Sequence, residues 1–107
     1  MRMWNVSPEV MCRKHLLGEH VEMHMFLGAL RLNKRLDGYV NSGFVEIHNI
    51  KRRHDELAEE IVRRGYHHRS PIEDSFFLEK RGFVDSQKSF EELQRRCKEC
   101  RSLNMNR

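Results

Sequence analysis

The chain has 107 residues, 34% of them charged, with 20 Lys and Arg against 16 Asp and Glu for a formal net charge of +4. That length suits one small domain, 1–107, with a single core and little room for a second. No apolar run approaches the ~18 residues of a membrane span, and the polar first turns do not make a signal peptide, so a soluble intracellular protein is expected.

Residues 1–6, Met-Arg-Met-Trp-Asn-Val, have no periodicity; Met3 and Trp4 are expected to pin this arm to the body by burying apolar surface. Ser7-Pro8-Glu9 is helix-start chemistry, with Ser at the N-cap, Pro at N1 and an acid in the first turn. It predicts a long first helix from Pro8 to about Arg35, bent near Gly18 or Gly28. Residues 36–45, with Asp37-Gly38 and Asn41-Ser42-Gly43, read as a loop holding at most one short helical turn. From Glu46 to Arg64, Ile47, Ile50, His54, Leu57, Ala58 and Ile61 recur at helical spacing and Gly65 takes the C′ position, which predicts a second helix. His54 on its apolar face is expected to be half-buried and hydrogen-bonded. Ser70-Pro71 is another cap-like start, and Phe76, Phe77 and Leu78 are expected to cover the core before Gly82. Asp85 or Ser86 then opens a last amphipathic helix carrying Phe90, Leu93 and Cys97, after which residues 102–107 fray. No segment alternates long enough for a strand, so the fold class is all-α, a compact single domain of about three principal helices.

The stretch from His15 to His24, HLLGEHVEMH, holds three imidazoles and two carboxylates in an otherwise apolar helical pattern. Packing alone does not explain it, because buried charges are costly unless paired or used. His15, Gly18, Glu19 and Glu22 share one stripe, and Gly18 leaves a notch in front of Glu22. Val10, Leu17, Val21 and Met25 lie on neighbouring angles and Leu16, Met23 and Leu27 on others, so the helix is expected to be central and apolar over much of its circumference. Two chemistries fit. His20 and His24, at i and i+4, could share a metal with Glu19 or Glu22 as third ligand or base, although the glutamates sit outside the places HExxH requires. Alternatively, the chain's α-amino group, with an ordinary pKa of about 7.7 to 8.0, is partly unprotonated near neutrality and could act as a nucleophile served by Glu22. A helix beginning at Ser7 puts Glu22 about 22 Å away, against about 20 Å of reach for the six residues before it, so the arm would have to fold back along the helix.

Arg31 with Lys34-Arg35, Lys51-Arg52-Arg53, Arg63-Arg64 and Arg95-Arg96 place positive charge where phosphates could be met, or on solvated helix faces. The three cysteines, Cys12, Cys97 and Cys100, are an odd number without secretory context, so reduced thiols are expected. Cys97-x-x-Cys100 is half of a zinc motif with no second CxxC, and Cys12 belongs to another helix; no metal is assigned.

Met1-Arg2, then His15-Leu16-Leu17-Gly18-Glu19 followed by Glu22, and Ile50-Lys51-Arg52-Arg53-His54-Asp55-Glu56-Leu57 running into Val62-Arg63-Arg64-Gly65-Tyr66, resemble the phage pyrimidine-dimer DNA glycosylases, the endonuclease V type with coupled AP lyase activity. The resemblance covers about residues 1–30 and 46–66. It implies an all-helical, cofactor-free enzyme acting on lesion-bearing double-stranded DNA, taken here as a monomer in the cytoplasm of a prokaryotic or phage-infected cell. In such enzymes an N-terminal amine attacks C1′ of the damaged nucleotide to form a Schiff base, and a glutamate assists glycosidic cleavage and β-elimination. The amine falls on Met1, the phosphate-contacting arginine on Arg2 and the glutamate on Glu22, with His15 and Glu19 beside it; the bulk of Arg2 should keep the initiator methionine in place. Family arginines flanking the glutamate fall on Val21 and Met25, and the basic, aromatic C-terminal tail is not recognisable in Leu103 to Arg107. Arg13, Arg31 or Lys51, Arg52 and Arg53 are expected to supply the missing phosphate grip. Trp4 and Tyr39 are candidate wedges or stacking partners, with plain packing the stronger expectation for Trp4. A non-catalytic nucleic-acid-binding module and a metal-dependent hydrolase centred on His20 and His24 remain as alternatives.

Overall fold

The computed structural model describes residues 1–68, 70–72 and 78–105. The fold is all-α, as the sequence predicts, with no strand among the described residues. A 3-10 turn at Pro8–Val10 precedes α1 (Arg13–Arg31), α2 (Asp37–Asn41), a 3-10 turn at Ile47–Asn49, α3 (Ile50–Arg63), α4 (Ser86–Arg96) and α5 (Lys98–Met105). No helix of the described residues is long and apolar enough to cross a membrane.

The core lies between α1 and α3. On α1, Leu16, Glu19, His20, Met23, Phe26 and Leu27 are buried at three- and four-residue spacing. On α3, Ile50, His54, Leu57, Ala58 and Ile61 face them as expected, joined by Arg53 and Glu60. Met3 and Trp4 of the arm are buried against the same core, and Leu78 packs at its edge. Phe76 and Phe77 lie outside the described residues.

Several boundaries differ from expectation, each for a local reason. The first helix begins at Arg13, not Pro8: Ser7 makes no side-chain cap, and the Pro8 and Met11 carbonyls are taken by Arg64 Nη2 at 3.0 and 2.7 Å. Met11 and Cys12 are extended there, so the chain turns before α1 starts. At its other end α1 stops at Arg31 rather than Arg35, continuous through Gly18 and Gly28. Asn33 takes φ 56°, and its N–H and that of Lys34 donate to the Leu30 and Ala29 carbonyls at 3.0 and 2.9 Å. The same double closure ends α3 at Gly65, where φ is 88°. The outer face of α1 is not covered all round, since Val21 is 55% and Met25 51% exposed.

The last helix is two. Asp85 caps α4, its Oδ1 accepting from Lys88 N at 3.1 Å, but the helix breaks at Cys97 and α5 runs on to Met105, so residues 102–105 are helical rather than frayed. His54 is fully buried, not half-buried. Gly82, at φ 97°, passes so close to Val45 that a Cβ would come within 2.2 Å of its carbonyl oxygen, which fixes the strap between α3 and α4 against the core.

Candidate active site

Three consecutive backbone amides of the arm are held by α1 and by the loop after α2. Arg2 N donates to Glu22 Oε1 at 2.7 Å, Met3 N to the Phe44 carbonyl at 2.6 Å and Trp4 N to Glu19 Oε2 at 3.2 Å. The arm therefore lies across α1, and the Met1 nitrogen ends 3.7 Å from Glu22 Oε1. The reach problem disappears because residues 7–12 turn instead of extending the helix. The Gly18 notch is looser than expected: a Cβ there would meet Glu22 Oε2 at 3.9 Å, ordinary van der Waals contact.

Glu19 and Glu22, one turn apart, do different work. Glu22 is partly exposed beside the terminal amine, with 28% of its side chain accessible. Glu19 is fully buried and grips Arg53 with both oxygens, Nε at 2.6 Å and Nη2 at 2.8 Å. Arg53 also donates to the Val6 carbonyl at 2.6 Å and to Glu56 at 2.5 Å. Burial alone would lower the Arg53 pKa, but Glu19 and Glu56 outweigh it and the net shift is upward, which keeps the guanidinium charged. On Glu19 burial pushes upward and Arg53 only partly opposes it. Arg53, expected among the phosphate-binding residues, is thus a core residue that organises the arm.

Arg2 also departs from its expected role. Its guanidinium sits over the Trp4 ring at 3.8 Å and the Phe44 ring at 4.7 Å, and donates to Glu92 Oε2 at 2.7 Å and Ser89 Oγ at 2.9 Å. Burial lowers its pKa, against the pull of Glu92. The side chain that should meet a phosphate is instead a clasp to α4. His15 turns Nδ1 toward Cys12 Sγ at 3.4 Å and Cys100 Sγ at 3.6 Å rather than toward the amine. Lys51 pairs with Asp55 at 2.5 Å, and Arg52 reaches Asn49 and Asn5. Arg13 is exposed over the Tyr66 ring, and Arg31 is exposed at the end of α1. Trp4 is buried, while Tyr39 is edge-on to Phe26.

A groove of about 410 Å³ opens beside Met1, lined by Met25, Leu32, Lys34, Arg35 and Tyr39 among others. Its apolar floor and two-cation rim suit a base and its phosphate. A larger groove of about 580 Å³ lies along Cys12, Arg13, Lys14, Leu17 and Glu99. Met1 does not line it, so size does not locate the chemistry. Sequence patterning missed the groove because its floor uses Met25 and Leu32, apolar residues that look like core but are exposed.

The His20 and His24 pair faces neither groove. His20 Nε2 lies 2.9 Å from His68 Nε2, and the His20 and His24 rings each pack 4.7 Å from that of His54. His54 Nε2 donates to the Ser70 carbonyl at 3.0 Å, and its Nδ1 lies 2.9 Å from Asp55. Burial, then the neighbouring His54, His68 and His24, push the His20 pKa down to about 4. The unfolded chain takes up this proton near 6.5 and the folded state only near 4. Stability should therefore fall as the pH drops from about 6.5 to about 4 and level off below. Thermal melts across that window, compared with His20→Gln, check it; His20→Gln should flatten the slope, and equal slopes would refute the assignment.

The protein is all-helical and seats its terminal amine against a carboxylate beside a groove lined by Lys34 and Arg35, the arrangement that the resemblance implies. The family model described as pyrimidine dimer DNA glycosylase matches residues 1–74, which include the arm, α1, α2 and α3. The chain belongs to that family, and its substrate is accordingly DNA. No curated protein and no solved structure matches it.

Proposed function

We propose that the protein is a pyrimidine-dimer DNA glycosylase with coupled AP lyase activity, in which the α-amine of Met1 is the nucleophile and Glu22 the catalytic carboxylate. The observation that carries this is the 3.7 Å separation of the Met1 nitrogen from Glu22 Oε1, with the Arg2 amide holding the same oxygen at 2.7 Å. An unprotonated amine attacks C1′, the damaged base leaves, and the ring opens to a protonated imine as O4′ takes a proton. Glu22 then removes a C2′ proton, and β-elimination breaks the C3′–O bond. Hydrolysis of the imine frees the amine. Lys34 and Arg35 line the groove and take over the phosphate grip, since the Arg2 side chain is committed to α4. The substrate is lesion-bearing duplex, bound by a monomer.

Borohydride reduction on duplex carrying an abasic site tests the reading. A covalent adduct mapping to the N-terminal peptide is expected. Glu22→Gln keeps the acceptor for the Arg2 amide but loses the base, so strand cleavage at dimers should drop by about 100-fold or more while binding persists. Unchanged turnover would remove Glu22 from the mechanism.

A further inference from the structure

The structure brings together, away from Met1 and Glu22, four side chains that the reaction does not use. We propose that Cys12, His15, Cys97 and Cys100 form a tetrahedral Cys3His site for one Zn²⁺ ion, which ties the start of α1 to the junction of α4 and α5.

The ligand atoms of these four residues all lie within 4.8 Å of one another. A tetrahedron with Zn–S of about 2.3 Å and Zn–N of about 2.0 to 2.1 Å has S···S edges of about 3.8 Å and S···N edges of about 3.5 Å. Cys12 Sγ and Cys97 Sγ are 3.8 Å apart, and His15 Nδ1 lies 3.4 Å from Cys12 Sγ and 3.6 Å from Cys100 Sγ. Three of the six edges therefore already have coordination-shell lengths, and the other three lie within 4.8 Å. These distances are too long for a disulfide, and a disulfide would leave a third thiol and an imidazole unused.

The ligands come as two short-spaced pairs, Cys12-x-x-His15 and Cys97-x-x-Cys100, each at a helix start. Cys12 and Cys97 occupy the residues where the backbone leaves helical geometry, at φ −68°, ψ 164° and φ −117°, ψ 112°. The break at Cys97 contains no glycine or proline, and helix interruptions otherwise have identifiable causes. Turning the Cys97 thiol to one centre with Cys12 is such a cause. Two backbone amides also point at sulfur: Cys12 N donates to Cys100 Sγ at 3.2 Å and Cys100 N to Cys97 Sγ at 3.4 Å. Donors aimed at thiolates are the outer-shell support that metal-bound sulfur uses. Glu99 Oε2 is 3.6 Å from Cys97 Sγ and exposed, free to turn outward once that sulfur loses its proton. Three thiolates and Zn²⁺ leave one negative charge, and the exposed Lys14 and Lys98 are close enough to act on Glu99 electrostatically. Four protein ligands close the shell, so the role is structural. It suits a small domain whose α4 and α5 are otherwise held by few apolar side chains, chiefly Leu93 and Phe90, and by polar clasps such as Arg2 to Ser89 and Asn104 to Val10.

The full chain, purified reduced from zinc-supplemented medium without chelator, should carry one zinc per chain by elemental analysis. Exchanged for Co²⁺, it should show thiolate-to-cobalt charge transfer and the intense red-region band of a tetrahedral centre. Chelator with a mercurial should release the zinc, lower Tm and change the emission of Trp4, the one tryptophan, whose ring lies edge-on to His15 at 5.7 Å. Cys97→Ser and Cys100→Ser should each abolish stoichiometric retention; if either fails to fold, the cobalt spectrum of the unaltered protein decides. Three freely titrating thiols with no retained metal, a disulfide in the purified protein, or a cobalt spectrum lacking thiolate bands, as the His20, His54 and His68 cluster would give, each overturns the proposal.

Discussion

Acetylating the α-amine of Met1, or leaving an uncleaved tag ahead of it, should reduce both the borohydride-trapped adduct and strand cleavage to background. An amide nitrogen has no available lone pair for attack, and among the described residues no second amine is paired with Glu22 in the same way. The expected loss is large because a nucleophile held in place replaces a bimolecular encounter, an advantage on the order of 10⁵ M in effective concentration when alignment is good. The arm should still dock, since its anchors are the amides of Arg2, Met3 and Trp4 and the Arg2 guanidinium, none of which the modification removes. Tm and affinity for lesion duplex should therefore stay close to those of the unmodified protein. Adducts that persist with the terminus blocked and map to a lysine such as Lys14 would refute the amine mechanism.

The largest effect on stability is expected from Arg53→Ala. The substitution leaves the Glu19 carboxylate fully buried without its bidentate partner and takes a donor from the Val6 carbonyl. Breaking a buried pair by removing one member costs about 3 to 5 kcal/mol. That is a large share of the roughly 5 to 15 kcal/mol that holds a domain together. Urea denaturation gives the number directly; a loss below about 1 kcal/mol would show that Glu19 is satisfied in some other way. The double variant Glu19→Gln with Arg53→Met should recover much of the loss, because no charge is then stranded. Its cleavage activity should remain impaired, since Arg53 also holds the Val6 carbonyl at the end of the arm and Met cannot.

The contrast between Glu19 and Glu22 indicates how far the sequence could be read. The all-α class, the inward face of α3 from Ile50 to Ile61 and the closure at Gly65 follow from periodicity and turn chemistry, and each is found, although the helix starts at Ile50 after a 3-10 turn rather than at Glu46. The start of α1 does not follow, because Ser7-Pro8-Glu9 is a good local signal overridden by Arg64, which is 56 residues from Pro8 and takes the carbonyls the helix would use. Arg53 was misplaced for a related reason: in a run of three cations nothing local distinguishes the one that meets a buried carboxylate from the two that stay outside. Lys34 and Arg35 were visible as charge, but their meeting with Met1 across the exposed Met25 and Leu32 depends on how α1 ends. Of the four clustered metal-type side chains, only the Cys97-x-x-Cys100 half has a familiar spacing; Cys12-x-x-His15 is plain only once the helix is known to begin at Arg13.

The Arg2 clasp bears on the order in which the molecule can be built. Arg2 is bonded to Ser89 and Glu92, 87 and 90 residues further on. Closing a loop of that size costs about 4 kcal/mol of chain entropy, growing only with the logarithm of its length. At synthesis rates of about 5 to 20 residues per second, the arm leaves the ribosome several seconds before α4 exists to receive it. Glu19, Glu22 and Phe44 are made earlier and can hold the backbone of the arm first. The side chain that locks it arrives at its partners last, so the nascent chain carries its amine loosely placed until the segment beyond α3 has been made.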